Sequence, residues 1–458
     1  MKSLESFLSS AVDFIWGVPL LILLLGGGFY FLVYSRFLPF RYLLHAVNVL
    51  RGKFDNPDDP GEINHFEALS GALAATIGMG NVSGVALAIA AGGPGAIFWM
   101  WMSAFLGMAT KYFTCTLAVL YRGKDAEGNL QGGPMYVIRE GLGKKWMLLA
   151  GFFCVAAFLG ASPVFQANQM VAVLKEVILI PAGASDGFYT DLIIGLVITV
   201  LVAMVIVGGV KRIGNVASKL VPAMVLLFVF SVLVIMLLNA SAIIPSFLFI
   251  LEDAFTAKAA LGGAVGAIII EGAKRAAFSN EAGIGTAPMM HGAAKTKEPV
   301  REGLVAMLGP AIDTIVVCTM TGLCIIMTGA WQAEISGNFS SDTQGILMTT
   351  LAFEDSLPGF GPYVLMICVM IFAITTIFGM AYYGQKCLGF LIGPKYIKYY
   401  NVYYLILVVI GSVSSLSLVI NLIFVGYGLM SIPTMISGII LAPKVMEASK
   451  SYFDRMSI

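Results

Sequence analysis

The sequence predicts an all-α polytopic membrane protein with eleven transmembrane helices. Three observations predict it: a shortage of charge, eleven long apolar stretches, and basic residues gathered on one side of those stretches. Of the 458 residues, 59% are hydrophobic and only 12% are charged, with a mean hydropathy of +0.90. A soluble domain carries roughly 25% charged residues, so this chain has too little polar surface to cover a water-soluble globule. Its net charge of +1 lacks the basic excess of a nucleic-acid surface. The 51 glycines follow no Gly-X-Y period and suit close-packed membrane helices.

A span needs about 20 apolar residues. The qualifying segments are 16–38, 66–92, 95–121, 146–170, 188–208, 214–237, 259–290, 302–330, 359–388, 401–422 and 425–445. No small-residue cleavage site follows Trp16 to Leu38, so this stretch reads as a true first span and not a signal peptide. Charge collects in loops such as Arg51 to Glu62 and Arg122 to Asn129. With the N-terminus outside, only Lys2, Lys175 and Lys258 of the 27 Lys and Arg are external. Lys111, Lys219, Lys274 and Arg275 fall inside spans, which leaves 20 on the cytoplasmic side. The positive-inside rule then gives an external N-terminus and a cytoplasmic C-terminus. The whole chain, 1–458, reads as a single membrane domain. Its expected location is a prokaryotic plasma or inner membrane.

Two spans are interrupted. The second carries Ala74-Ala75-Thr76-Ile77-Gly78-Met79-Gly80-Asn81-Val82-Ser83-Gly84, and the seventh carries Phe278-Ser279-Asn280-Glu281-Ala282-Gly283-Ile284-Gly285-Thr286-Ala287-Pro288. Glycine costs about 1 kcal/mol in a helix relative to alanine, so three within a few residues weaken the ladder. A single glycine-rich span is more often a packing face. Two breaks at matching places are different. Each opens a block of five spans, 66–237 and 259–445, and an odd number forces the two blocks to point in opposite directions. Paired breaks in inverted halves point to a transporter site. Freed amides at a half-helix N-terminus suit a carboxylate, and freed carbonyls suit a small hard cation.

Ionisable groups inside spans are candidates for function. Glu281 in the second break either caps freed amides or meets a ligand directly. Asp313, in the eighth span, either helps bind a cation or makes buried hydrogen bonds. Lys274 and Arg275 lie near Glu271 and Glu281. Thr375 and Thr376 in the ninth span offer hydroxyls, though a helical Thr usually bonds its own i−4 carbonyl. The histidines, His45, His65 and His291, fall in or beside cytoplasmic loops. No His lies mid-membrane with Ser, Cys or carboxylate partners, which argues against an intramembrane hydrolase. No Walker A sequence occurs. The six cysteines lie in or beside apolar stretches without a C-x-x-C pair and read as apolar filler.

These motifs resemble the alanine or glycine:cation symporter family, also called sodium:alanine symporters. The matching stretches are Gly61 to Leu69, Ala75 to Ala86, Gly92-Gly93-Pro94-Gly95-Ala96-Ile97-Phe98-Trp99-Met100-Trp101, Gly107 to Tyr112, Gly132 to Tyr136 and Phe278 to Gly285. Asp313-Thr314 and Tyr382-Tyr383-Gly384 complete the set. The resemblance implies a LeuT-type 5+5 inverted repeat in spans two to eleven, with 16–38 as an extra helix. It implies Na⁺-driven uptake of alanine, glycine or a similar amino acid, with H⁺ in some members. By the same match, carbonyls of Ala74 and Ile77 with Thr375 and Thr376 form a Na⁺ site. Thr76 and Asn81 sit at the substrate or at a second ion position. The chain departs from the family at Met380, where many members have Trp, and at Thr114, where Glu is frequent. It also reads Ile432-Pro433-Thr434 where Pro-Asn is common. A smaller, flexible Met380 would enlarge the substrate pocket.

The expected function is therefore a secondary symporter with no organic cofactor and Na⁺ as coupling ion. The substrate carboxylate would meet amides of Gly78, Met79, Gly80 and Asn81. Its ammonium would face Phe278, Ser279, Asn280, Glu281 and Gly283, with Thr376 and Met380 completing the pocket and Asp313 as a further cation ligand. An H⁺-coupled carrier using Glu281 or Asp313 is the alternative within transport. A polytopic membrane enzyme is the alternative from another class.

Overall fold

A computed structural model describes residues 2–206, 209–255, 264–335 and 344–456. The end of the expected 188–208 span, the start of the 259–290 span and Lys258 lie outside the described residues. Among the described residues, seven helices are long and apolar enough to cross a bilayer, or up to nine if each of two bent pairs counts as one span. The helices that frame the site are named in chain order. Helix α1 is Lys2–Ile15 and α2 is Val18–Tyr34. They follow one another with a 51° bend. The bend falls at the start of the expected 16–38 span, where Gly17 and Pro19 interrupt the ladder.

Helix α3, Leu43–Leu50, leads to α4, His65–Thr76, and α5, Met79–Gly92. A capping box starts α4: Asn64 Oδ1 accepts the Glu67 N–H at 2.8 Å, and Glu67 Oε2 accepts the Asn64 N–H at 2.9 Å. Helix α6 is Ala96–Leu120, followed by a short antiparallel hairpin, β1 Gly123–Lys124 and β2 Leu130–Gln131. The next helices are α7 Met147–Gly160, α8 Val164–Leu174, α9 Phe188–Ile206, α10 Gly209–Leu238 and α11 Ala240–Ala254. The second half holds α12 Ala264–Asn280, α13 Ala287–His291, α14 Pro299–Thr328 and α15 Gln344–Ser356. It closes with α16 Gly361–Ile392, α17 Ile397–Ser412 and α18 Leu416–Met456.

Two expectations need correction. The last two spans were expected to divide between 422 and 425. They divide at 413–415, because Ser415 Oγ accepts the Leu418 N–H at 3.3 Å and starts α18. Leu422 to Phe424 continue the helix. Helix α18 then runs 41 residues, roughly 60 Å, with Pro433 and Pro443 inside it. Helices α1, α11 and α15 occupy stretches expected to be loops. At 13 to 15 residues each they are too short to register as spans.

Both breaks are present. Helices α4 and α5 meet at a 43° bend, and α12 stops seven residues before α13 begins. The two broken helices pack on each other through α5 and α12, and α16 packs along α4. Glycines allow the closest approach: a Cβ on Gly379 would lie 2.7 Å from that of Ala75, and one on Gly78 would overlap Thr376 Oγ1.

Candidate functional site

At the first break Ile77 leaves the helical region with ψ 95°. The Gly78 N–H, which would close the next helical turn, donates instead to Asn81 Oδ1 at 2.9 Å. The start of α5 therefore presents its first amides, at Met79 and Gly80, without helical acceptors. Every residue from Ala68 to Ala86 is buried. Thr76 points back to its own helix, with Oγ1 3.5 Å from Leu73 O.

At the second break three alternate positions turn left-handed: Glu281 (φ 55°), Gly283 (φ 85°) and Gly285 (φ 104°). Only glycine takes this region without strain, so Glu281 is held there at a cost of order 1 kcal/mol. Its carboxylate is fixed by hydroxyls. Tyr427 donates to Oε1 at 2.7 Å, and Thr286 donates to Oε2. The amide-capping role falls to Asn280, whose Oδ1 accepts the Ala282 N–H at 2.9 Å.

The breaks meet at Asp313. Asn81 Nδ2 donates to Asp313 Oδ1 at 2.7 Å and to its carbonyl at 3.2 Å. Ser279 Oγ donates to Oδ2 at 2.5 Å, and Thr314 Oγ1 does so at 2.8 Å. Asn81 also reaches Ser279 Oγ at 3.1 Å. One carboxylate thus ties α5, α12 and α14 together with no exposed atom between them: Asn81, Ser279 and Asp313 are each fully buried. Lys111 is buried too, 2% exposed, above Gly309 and within electrostatic reach of both Asp313 and Glu281.

The ninth-span residues divide. Thr376 Oγ1 lies against Gly78 at the first break and donates to Phe372 O at 2.9 Å. Thr375 turns toward α10: its hydroxyl bonds Ile371 O at 2.9 Å and approaches Met224 Sδ at 3.7 Å. Met380 is 1% exposed, so it faces the protein interior and not lipid. Phe278 covers Gly80 and Gly84 and packs edge-on to Phe165, with Phe424 and Tyr427 beyond. Lys274 and Arg275 sit over Phe424 at 4.6 and 5.2 Å. Both pair with Glu271, Arg275 at 2.5 Å, and not with Glu281.

A match to the sodium:alanine symporter family model runs over residues 1–457. The chain belongs to the sodium:alanine symporter family. It is a multi-pass membrane transporter of an amino-acid symporter family and not an enzyme. An uncharacterized transporter of Haemophilus influenzae is 42% identical over 463 residues, covering 100% of this chain and 98% of that protein. The sodium/alanine symporter AgcS of Methanococcus maripaludis is 39% identical over 452 residues, 98% of this chain and 97% of its own. Among solved structures, MhsT in complex with L-phenylalanine aligns with a TM-score of 0.56 at 13% identity, over 86% of this chain and 99% of that one. That likeness establishes the LeuT-type fold.

In this sodium:alanine symporter family member, several partners escaped sequence reasoning. Tyr427, Thr286, Cys318 and Lys111 all reach the site or its edge. Lys111 was visible as a charge within a span and was set aside. His65 and His291, placed beside loops by sequence, are buried and hold Glu302 between them: His65 Nδ1 meets Oε2, and His291 Nδ1 meets Oε1 at 2.5 Å. Close by, Arg122 donates from Nε to Gly292 O at 2.7 Å, from Nη1 to Thr296 O at 3.1 Å and Pro60 O at 3.3 Å, and from Nη2 to Ala294 O. Burial draws this guanidinium down to about 10, still protonated at neutral pH.

Proposed function

We propose that this protein couples Na⁺ entry to uptake of a small neutral amino acid, alanine or glycine, by alternating access. The single observation that carries this reading is the crossing of two broken helices at a buried, charge-unbalanced cluster. Asp313 and Glu281 bring two carboxylates and Lys111 brings one ammonium, so the ionised cluster is one positive charge short. Unpaired buried charge is costly, and a bound cation removes the deficit. Oxygens of Asp313, Ser279 and Thr314 offer hard ligands there. A second position lies at the first break, with carbonyls of Ala74 and Ile77 and the Thr376 hydroxyl; Thr375, turned toward α10, stands outside it. The open amides of Met79 and Gly80 suit the amino acid's carboxylate. Ser279, Asn280 and carbonyls from Phe278 to Gly283 suit its ammonium, and Met380 faces its side chain. The names of relatives such as AgcS support alanine and Na⁺ as cargo.

Eleven spans accommodate this mechanism: the nine that are long enough, the broken α12–α13, and the 16-residue α17. Spans two to eleven then form the two inverted five-helix blocks, with the α1–α2 pair outside them. The C-terminus lies in the cytoplasm of a prokaryotic cell. A proton-coupled carrier is the second reading, because a proton on Asp313 or Glu281 would balance the same cluster. Uptake of labelled alanine into proteoliposomes decides. Accumulation driven by a Na⁺ gradient at equal pH supports the first reading. Accumulation driven only by a pH gradient transfers the role to H⁺. No accumulation under either gradient defeats both.

A further inference from the structure

A cavity of about 250 Å³ opens away from the helix crossing, lined among others by Glu62, Asp125, Tyr382, Gln385, Lys386 and Asn401. It lies between the hairpin β1–β2, the loop before α4, and the ends of α16 and α17. Its polar groups are unequally engaged. Asp125 is committed to its own turn, accepting the N–H groups of Glu127 and Asn129 at 2.9 Å. Gln385 donates to Asn401 at 2.7 Å. Lys386 and Glu62 remain. Both line the same cavity and feel each other's charge across it, yet among the described residues neither makes an ion pair within 4.0 Å. Lys386 Nζ rests 5.0 Å from the Tyr382 ring centre. The Tyr382 hydroxyl is buried and has no hydrogen-bond partner, in a residue only 5% exposed.

A cation, an anion and an idle hydroxyl around one small cavity are complementary to a molecule with both charges. Unsatisfied polar groups in such a place cost free energy until a ligand or water meets them. Drug-sized ligands occupy about 300–1,000 Å³, so this volume suits something smaller. We propose that the cavity is a second amino-acid site, in which Lys386 and the Tyr382 hydroxyl hold the α-carboxylate and Glu62 holds the α-ammonium. In the orientation argued above, which this inference rests on, the cavity faces the cytoplasm. The site would hold the amino acid after it leaves the helix crossing and would set the internal concentration at which efflux half-saturates.

Two measurements test it. All six native cysteines are buried, so an Ile397→Cys variant places one accessible thiol on the cavity wall. Alanine should slow maleimide labelling of that thiol at least fivefold. Propionate and ethylamine, each with one of the two charges, should not. Lys386→Met and Glu62→Gln should each restore the unprotected rate, and Lys386→Arg should keep the protection. The proposal fails if alanine gives no protection, if propionate protects as well as alanine, or if protection survives Lys386→Met. In proteoliposomes, Lys386→Met should raise the internal half-saturating alanine concentration about tenfold and change the external one less than twofold. Equal shifts on both sides, or none, overturn the site. Na⁺-driven uptake by the unmodified protein is measured alongside. Its absence would sink the transport reading, while the labelling result would still decide the cavity.

Discussion

Asp313 accepts side-chain hydrogen bonds from Asn81, Ser279 and Thr314, and it shares a buried region with Glu281 and Lys111. Removing its charge should leave Lys111 balanced against Glu281 alone, with no deficit for a cation to fill. Asp313→Asn is therefore expected to raise the half-saturating Na⁺ concentration for alanine uptake at least tenfold, about 1.4 kcal/mol of cation binding. Uptake measured across a Na⁺ titration checks this, and an unchanged titration would move the coupling ion to the first break. Met380 carries a separate expectation. An apolar pocket discriminates by about 1–3 kcal/mol per methylene, and Met adapts to shape more readily than Trp. Met380→Trp should weaken binding of amino acids larger than alanine more than binding of glycine or alanine. Competition by glycine, alanine, serine and a larger neutral amino acid reads the ranking. An identical ranking in both proteins would show that Met380 packs on a neighbouring helix without touching substrate.

At the scale of elements, Glu302 joins two consecutive helices of the second half to one far away in sequence. It lies on α14 and holds His65 at the start of α4 and His291 at the end of α13. Both broken helices are thereby fastened to one carboxylate. Glu302→Gln keeps the shape but gives one acceptor oxygen where two imidazoles meet two. It should lower stability by about 1–3 kcal/mol, read as a fall in the melting temperature of the purified protein. No measurable fall would mean that Arg122 and its four carbonyl partners secure this end without Glu302. The sequence could not announce this contact, because His65 and Glu302 stand 237 positions apart and neither has a local signal. The breaks themselves were legible: Gly78, Gly80, Gly283 and Gly285 interrupt apolar runs, and Asn81, Ser279 and Glu281 are polar where lipid would forbid them. The division between α17 and α18 was misread because Ser412 to Ser415 were counted inside the apolar stretch 401–422. A hydroxyl cap at Ser415 decides the helix start.

At the scale of the whole molecule, contacts sort the connecting segments onto two poles. Arg122 binds carbonyls of Pro60, Gly292, Ala294 and Thr296. Arg455, near the end of α18, pairs with Glu298 at 2.9 Å, and Tyr452 bonds His45 at 2.8 Å. The segments around 45–62, 122, 292–298 and the C-terminal helix end therefore share one pole. These are the segments whose basic residues the positive-inside rule places in the cytoplasm. The N-terminal helix sits at the other pole: Glu5 accepts a hydrogen bond from Ser415 at the start of α18, and Trp16 Nε1 donates to Phe424 O at 2.9 Å. Termini at opposite poles require an odd number of crossings. Eleven satisfies that, and ten does not. A reporter fused after Ile458, a position outside the described residues, should thus behave as cytoplasmic, while a tag before Lys2 should be reached by reagents that do not cross the membrane. If both ends report the same side, the crossing number is even and α1–α2 does not span. If the ends report opposite sides with the C-terminus outside, the helix count stands. The 20 basic residues would then face outward, and both the uptake direction and the cytoplasmic placement of the Lys386 cavity would reverse.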